Sequence, residues 1–302
     1  MKCNYPVGTY RTDGTPAYRP CGSCIGCRLD YAKSWSIRCL HEASLHEENC
    51  FITLTYNNES LPEDRSVHKY ELSKFIRSLR KKIEPNKIRF YGCGEYGDNF
   101  GRPHYHACIF GYSFPDKEIL HYGTFKRFRK QFRSGLNHDL FTSRILEKTW
   151  KKGFCTLGDL TEQSAGYVAR YCTKKITGDM AKDHYQGKHS EFALMSRRPG
   201  IGAPWVEKFH TDIYPKDFYT VNGIKYRPPR FYDAWYEAKY PKRFKEVKEK
   251  RRKLADSMPY ESDWRGHQKE LYRKKVTKPL QRRLEDGRAT TAIRDSRHIR
   301  NI

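Results

Sequence analysis

Arg102-Pro103-His104-Tyr105-His106-Ala107-Cys108-Ile109-Phe110 is the stretch on which the fold turns. Its aromatic and apolar character predicts a strand over His104 to Phe110. Side chains alternate along a strand, so His104 and His106 project from one side of a sheet. Gly97-Asp98-Asn99-Phe100-Gly101-Arg102-Pro103 just before it carries turn signals, and Ile88 to Glu95 reads as a second strand. The two form a hairpin. Antiparallel pairing across a loop of that length sets Glu95 roughly opposite His104. Two imidazoles and a carboxylate on one face leave open positions for a hard ion, Mg²⁺ or Mn²⁺, and for a phosphate oxygen.

Working outward, Cys50-Phe51-Ile52-Thr53-Leu54-Thr55-Tyr56 reads as a strand. Phe51, Thr53 and Thr55 share one face, and Ile52, Leu54 and Tyr56 the other. Tyr70 to Lys82 is predicted helical, with Leu72, Phe75, Ile76 and Leu79 at core-facing spacing. A further helix is expected from Leu29 to about Leu45. Downstream, 122 to 135 is either a helix or irregular, Leu140 to Lys152 a helix, and Gly153 to Leu157 a short strand. Asp159-Leu160-Thr161-Glu162 resembles a capping box with Asp159 at the N-cap, starting a helix that runs to about Ile176. On that helix Tyr167, Tyr171 and Lys174 fall at i, i+4 and i+7, one stripe.

The pattern weakens from 181 to 235. Arg197 to Trp205 is a turn-rich basic loop, and a small hairpin around Asn222-Gly223 is expected between Tyr214 and Tyr232. Lys242 to Ala255 reads as a solvated basic helix, and the last thirty or so residues as mobile. The expected organisation is a Cys-rich segment (1–45), a catalytic α+β domain (46–180), a basic aromatic region (181–235) and a basic, mostly helical extension (236–302).

The 302 residues carry a net charge of +24 with a pI near 9.6, and 37% hydrophobic residues still allow a core. Such charge implies a polyanionic partner, above all nucleic acid, because phosphate neutralisation releases condensed counterions. No run of eighteen or more apolar residues suggests a membrane span, and Met1-Lys2-Cys3-Asn4-Tyr5-Pro6 lacks the apolar core of a signal peptide. A cytoplasmic protein without a membrane partner is therefore expected. Its ten cysteines are then mostly reduced, and a cysteine cluster reads as metal-binding before disulfide.

Neutral tyrosine is a poor nucleophile, with a pKa of about 10. A divalent ion that polarises a phosphate, and a cation that favours the phenolate, correct this. Lys174 and Lys175, one turn beyond Tyr171, suit either role. The pattern points to a DNA nickase that forms a 5′-phosphotyrosine and a free 3′-hydroxyl, with a second tyrosine available for a second cleavage. Arg102, Arg170, Arg197 and Arg198 are expected to contact DNA phosphates. Cys21-Gly22-Ser23-Cys24-Ile25-Gly26-Cys27 has knuckle-like spacing. Cys21, Cys24 and Cys27 suit a structural Zn²⁺ with a fourth ligand from Cys3, Cys39 or His41, although an iron–sulfur cluster also fits the spacing. Trp205, Phe231, Tyr232, Trp235 and Tyr236 either stack on unpaired bases or form the core of a small subdomain.

Three of these segments resemble motifs of the HUH endonuclease superfamily, the rolling-circle initiators. Phe51-Ile52-Thr53-Leu54-Thr55-Tyr56 resembles the first, Arg102-Pro103-His104-Tyr105-His106 the second, and Tyr167-Val168-Ala169-Arg170-Tyr171-Cys172-Thr173-Lys174-Lys175 the third in its two-tyrosine form. Cys21 to Arg28 and Glu191 to Gly202 look like segments of the gokushovirus branch of Microviridae replication initiators. The similarity spans about residues 20 to 205. It implies a central antiparallel sheet of about five strands flanked by helices, akin to the RNA-recognition fold. It also implies an ion held by Glu95, His104 and His106, assistance from Lys174, and origin DNA, double- and single-stranded, as substrate. A host polymerase and helicase would extend the free 3′ end in the bacterial cytoplasm. Three alternatives stay open: an HUH transposase or relaxase, a non-catalytic zinc-containing nucleic-acid-binding protein, and a zinc hydrolase. Absence of a His-Glu-x-x-His segment argues against a metalloprotease.

Overall fold

The computed structural model of the protein describes residues 3, 5–97, 101–120, 140–171, 175, 180–221 and 223–257, with backbone alone at 163, 170, 171 and 180. In chain order come β1 (Val7–Tyr10), β2 (Pro16–Arg19), α1 (Ile25–Ala43), β3 (Asn49–Thr55), α2 (Lys69–Lys82), β4 (Arg89–Tyr96) and β5 (Pro103–Phe110). Then follow β6 (Glu118–Ile119), β7 (Phe141–Thr142), α3 (Arg144–Trp150), β8 (Cys155–Asp159), α4 (Glu162–Tyr171), α5 (Met180–Tyr185) and β9 (Phe192–Met195). The remainder is α6 (Ala203–Ile213), β10 (Tyr219–Val221), β11 (Ile224–Tyr226), α7 (Arg230–Lys239) and α8 (Pro241–Ser257). The chain divides into two compact units after Pro241. Of the second only α8 is described, a basic helix on which Lys248 and Arg251 lie over the Phe244 ring.

The class is α+β, built on an antiparallel sheet of seven strands in the order β6-β7-β8-β3-β5-β4-β9. Alternation in β3 sorts its side chains as expected. Ile52 and Leu54 enter one core with Leu72, Phe75, Ile76 and Leu79 of α2 and Leu146 and Trp150 of α3. Phe51 faces the other core, with Trp35 and Cys39 of α1 and Ala165, Val168 and Ala169 of α4. The sheet is thus sandwiched, α2 and α3 on one face and α1 and α4 on the other. Each fully buried leucine or phenylalanine contributes roughly 1.5–3 kcal/mol.

Several boundaries differ from expectation. The sheet has seven strands rather than about five, because β6 and β7 are two-residue strands too short to show a period and β9 pairs with the free edge of β4. Phe141 and Thr142 are drawn into that sheet, so the helix expected from Leu140 begins only at Arg144, where the Ser143 hydroxyl caps the Leu146 amide at 3.1 Å. Asp159 is not the N-cap of α4, since it pairs with Cys50 as the last residue of β8. The reciprocal cap sits two residues on. Ser164 N–H donates to Thr161 Oγ1 at 3.2 Å, and Thr161 N–H to Ser164 Oγ at 2.8 Å. Ala203–Ile213, half expected as loop, is helical from Ala203. The hairpin near Asn222-Gly223 is present as β10 and β11. The helix expected over 122–135, the end of the tyrosine helix beyond 171 and the last thirty residues lie outside the described residues.

Gly153 joins α3 to β8 at φ 148°, where an added Cβ would lie 2.3 Å from the Asn57 nitrogen and 2.4 Å from the Thr55 oxygen. These are backbone atoms that cannot yield. Gly153→Ala is expected to lower stability by about 1–3 kcal/mol, read as a lower denaturant midpoint with an unchanged slope.

Candidate functional site

Pairing of β4 with β5 puts Glu95 directly across from His104, and Cys93 across from His106. On the other side β3 sets Thr55 opposite His104 and Thr53 opposite His106. Directly paired residues share a face, so Glu95, His104, His106, Thr53 and Phe51 all point to the side that carries α1 and α4. One Glu95 oxygen lies 2.6 Å from His104 Nε2 and 3.2 Å from His106 Nε2. Glu95 and His106 are buried, and His104 is partly exposed at the rim.

The hydrogen-bond logic of the trio asks for a cation. The Arg102 carbonyl, 3.1 Å from His104 Nδ1, only accepts, so Nδ1 carries the proton. The Nε2 lone pair of a neutral His104 ring would then face a carboxylate oxygen. A positive charge shared among these atoms, a proton or a metal ion, relieves that repulsion. Donor atoms of Glu95, His104 and His106 all lie within 4.8 Å of one another, and two imidazoles with one carboxylate suit a divalent ion with open positions. Burial would raise the Glu95 pKa, but hydrogen bonds and charge from the two imidazoles override it and hold it down at about 2. Glu95 is therefore a carboxylate at any physiological pH.

Thr53 supports the second imidazole, with Oγ1 2.9 Å from His106 Nδ1. Alternation placed Thr53 on the right face, yet its partnership with His106 depends on strand register. Thr53→Val keeps the shape and removes this bond. It is expected to weaken Mn²⁺ binding by about 10–100-fold, measured by calorimetry, with little change in melting temperature.

Tyr167, on α4, packs edge-on against His106 with ring centroids 5.4 Å apart and an interplanar angle of 87°. It also meets Phe51 edge-on at 6.2 Å. The close packing of α1 against α4, through small residues such as Ala165 and Ala169, seats the tyrosine over the sheet. Tyr171 ends the same helix one turn on, and its side chain, like that of Arg170, is not among those described. Lys174 lies outside the described residues. Lys175 is exposed, and its carbonyl accepts from Arg28 at 3.2 Å.

The other arginines singled out above are scattered. Arg102 sits beside the trio but donates to Asn58 Oδ1 at 2.9 Å and to the Tyr56 carbonyl at 3.0 Å, pinning the hairpin loop to the end of β3. Arg197 and Arg198 are exposed and line an open depression of about 570 Å³ with Arg80 and Arg89. That depression lies at the start of β4, six residues from Glu95 and so roughly 20 Å away along the strand. The aromatic residues of the 181–235 region form a small core. Tyr232 and Tyr236 are buried, Trp205 stacks on His41 at 3.5 Å, and His41 Nδ1 is 2.9 Å from the Tyr232 hydroxyl.

Cys21, Cys24 and Cys27 gather with Cys3, all four sulfurs within 4.8 Å of one another. Cys39 and His41 do not take part. Cys39 is buried in the core beneath α1, and burial drives the stacked His41 ring down to about 4, a neutral packing residue.

Fold and site together define an α+β protein whose antiparallel sheet carries a histidine–carboxylate trio beside a helix-borne tyrosine, an arrangement consistent with an HUH-like fold. The family model for replication-associated protein ORF2 matches residues 49–176, the segment that holds β3, the trio and α4. Replication-associated protein VP4 of Bdellovibrio phage phiMH2K is 34% identical over 250 residues, spanning 78% of this chain and 74% of the relative. Replication-associated protein ORF2 of Spiroplasma virus 4 is 33% identical over 288 residues, spanning 86% and 85%. Replication-associated protein ORF4 of Chlamydia phage 1 is 28% identical over 216 residues, spanning 70% and 52%. No solved structure matches the chain. The protein belongs to the replication-associated protein family of Microviridae-like phages.

Proposed function

We propose that the protein initiates phage rolling-circle replication by nicking origin DNA through tyrosine attack. The observation that carries this reading is the edge-on contact of Tyr167 with His106, one of three side chains whose donor atoms converge. A nucleophile and an anion-binding centre thereby share one small volume on a rigid sheet. Glu95, His104 and His106 would hold Mg²⁺ or Mn²⁺, which supplies Lewis-acid polarisation of the scissile phosphate when bound.

The chain's own residues do the rest. The Tyr167 phenol loses its proton, and its oxygen attacks phosphorus. The P–O3′ bond breaks as the Tyr–O–P bond forms, and the 3′ oxygen leaves and takes up a proton. Products are a 5′-phosphotyrosine and a 3′-hydroxyl that primes synthesis. The phosphodiester energy is conserved in the adduct, so the reverse attack by a 3′-hydroxyl rejoins strands. Tyr171, one helical turn away, provides a second nucleophile for the cut that releases the displaced circle. Lys175 and Lys174 follow on the same segment to favour phenolate. Arg197 and Arg198, at the far end of β4, serve as a second phosphate contact for a strand laid along the sheet edge.

The test incubates full-length protein with single-stranded circular phage DNA and Mn²⁺. The expected result is cleavage with a protein-linked 5′ end and a 3′ end that a polymerase extends, both abolished by chelator. Tight binding with no cleavage would reject the reading in favour of a non-catalytic DNA-binding role. Family membership weighs against a transposase or relaxase.

No described helix is long and apolar enough to cross a membrane.

A further inference from the structure

The geometry points to a mononuclear tetrathiolate zinc site, Cys3, Cys21, Cys24 and Cys27, that folds the N-terminal hairpin onto the first turn of α1. Cys24 Sγ lies 3.8 Å from Cys3 Sγ, and Cys21 Sγ 4.0 Å from Cys27 Sγ. A disulfide would need about 2.05 Å. A tetrahedron of Zn–S bonds of about 2.3 Å has sulfur–sulfur edges of about 3.8 Å. The four sulfurs thus already describe the coordination shell of one ion. An iron–sulfur cluster distributes its thiolates over separate irons and needs them farther apart.

The surrounding backbone is built for thiolates. Cys21 N–H donates to Cys3 Sγ at 3.2 Å, and Cys24 N–H to Cys21 Sγ at 3.4 Å. Donors of this kind orient metal ligands and stabilise their charge. Gly22, between the first two knuckle cysteines, sits at φ 80° with open space around it. That left-handed turn returns the chain from Cys21 to Cys24, and glycine adopts it without strain.

The independent observation is the hairpin itself. Cys3 and Cys21 bracket β1 and β2, which among the described strands pair only with each other. Six of their eight residues are exposed, and none enters either core. A lone two-stranded hairpin is at best marginally stable in water. Its ordered ends meet at the four sulfurs, so the metal supplies the folding energy that the missing core does not. On the other side the ion grips α1, for Cys24 is the helix N-cap and Cys27 lies in its first turn. The next residue, Arg28, holds the Lys175 carbonyl just past the tyrosine helix.

The test measures metal content of the full-length protein, purified without added metal, and its trypsin sensitivity at Arg11 and Arg19. One zinc per chain is expected. Stripping it with chelator should leave the rest of the chain folded while hairpin cleavage accelerates at least about tenfold, and Zn²⁺ should restore protection. Co²⁺ loading should give the intense visible bands of a tetrahedral thiolate site. In Cys3→Ser these bands should weaken, with an affinity loss beyond the ~10–100-fold typical when only a group supporting a ligand is lost. Protein that takes up neither Zn²⁺ nor Co²⁺ and keeps the hairpin protected would overturn the proposal. So would bound iron, or a disulfide among these cysteines.

Discussion

Tyr167→Phe is expected to cut adduct formation with an origin oligonucleotide by at least about 10³-fold, the scale on which loss of a nucleophile acts. The substitution removes one oxygen and keeps the ring that packs edge-on against His106 and Phe51. Stability should therefore move by no more than about 0.5 kcal/mol. Residual adduct in the single variant reports Tyr171, and Tyr167→Phe/Tyr171→Phe should abolish it. Gel-shift of denatured protein linked to labelled DNA measures both. An adduct that persists in the double variant would remove tyrosine from the chemistry.

Glu95→Gln should lower Mn²⁺ affinity, and nicking with it, on the order of 10²–10³-fold. The shape is preserved, and the amide offers an N–H to the imidazole lone pairs that the carboxylate repels. The metal-free variant should therefore melt near wild type. Glu95→Ala behaves differently, because it leaves two imidazole nitrogens facing a void and should also destabilise the fold by about 1–3 kcal/mol. Calorimetric Mn²⁺ titration beside thermal melts separates the two effects. Unchanged nicking in Glu95→Gln would place the ion elsewhere.

Much of this is legible in the sequence, for physical reasons that differ element by element. The β4–β5 hairpin is readable because a Gly- and Pro-rich turn separates two strands, and antiparallel register then fixes Glu95 against His104. Tyr167 is placed on a helix over the sheet by its i, i+4 partner and the apolar residues around it. The helix cap is not readable in the same way, because Asp159 is claimed by β8, a pairing visible only in three dimensions. β6 and β7 are too short to leave a period. Cys3 cannot be chosen over Cys39 or His41 from spacing, since the choice depends on a hairpin that brings Cys3 back across eighteen residues. The distance between Arg197 and the trio is equally hidden. It follows from β9 running antiparallel to β4, which carries Arg197 toward the end of β4 opposite Glu95.

The central claim is spatial: the trio and Tyr167 serve one DNA phosphate. Anomalous diffraction from crystals of Tyr167→Phe protein with Mn²⁺ and an uncleaved single-stranded origin oligonucleotide tests it most directly. The account predicts a manganese peak among Glu95, His104 and His106, with a phosphate between it and the ring at position 167. Manganese bound away from those three side chains, or a phosphate out of reach of that ring, would contradict it.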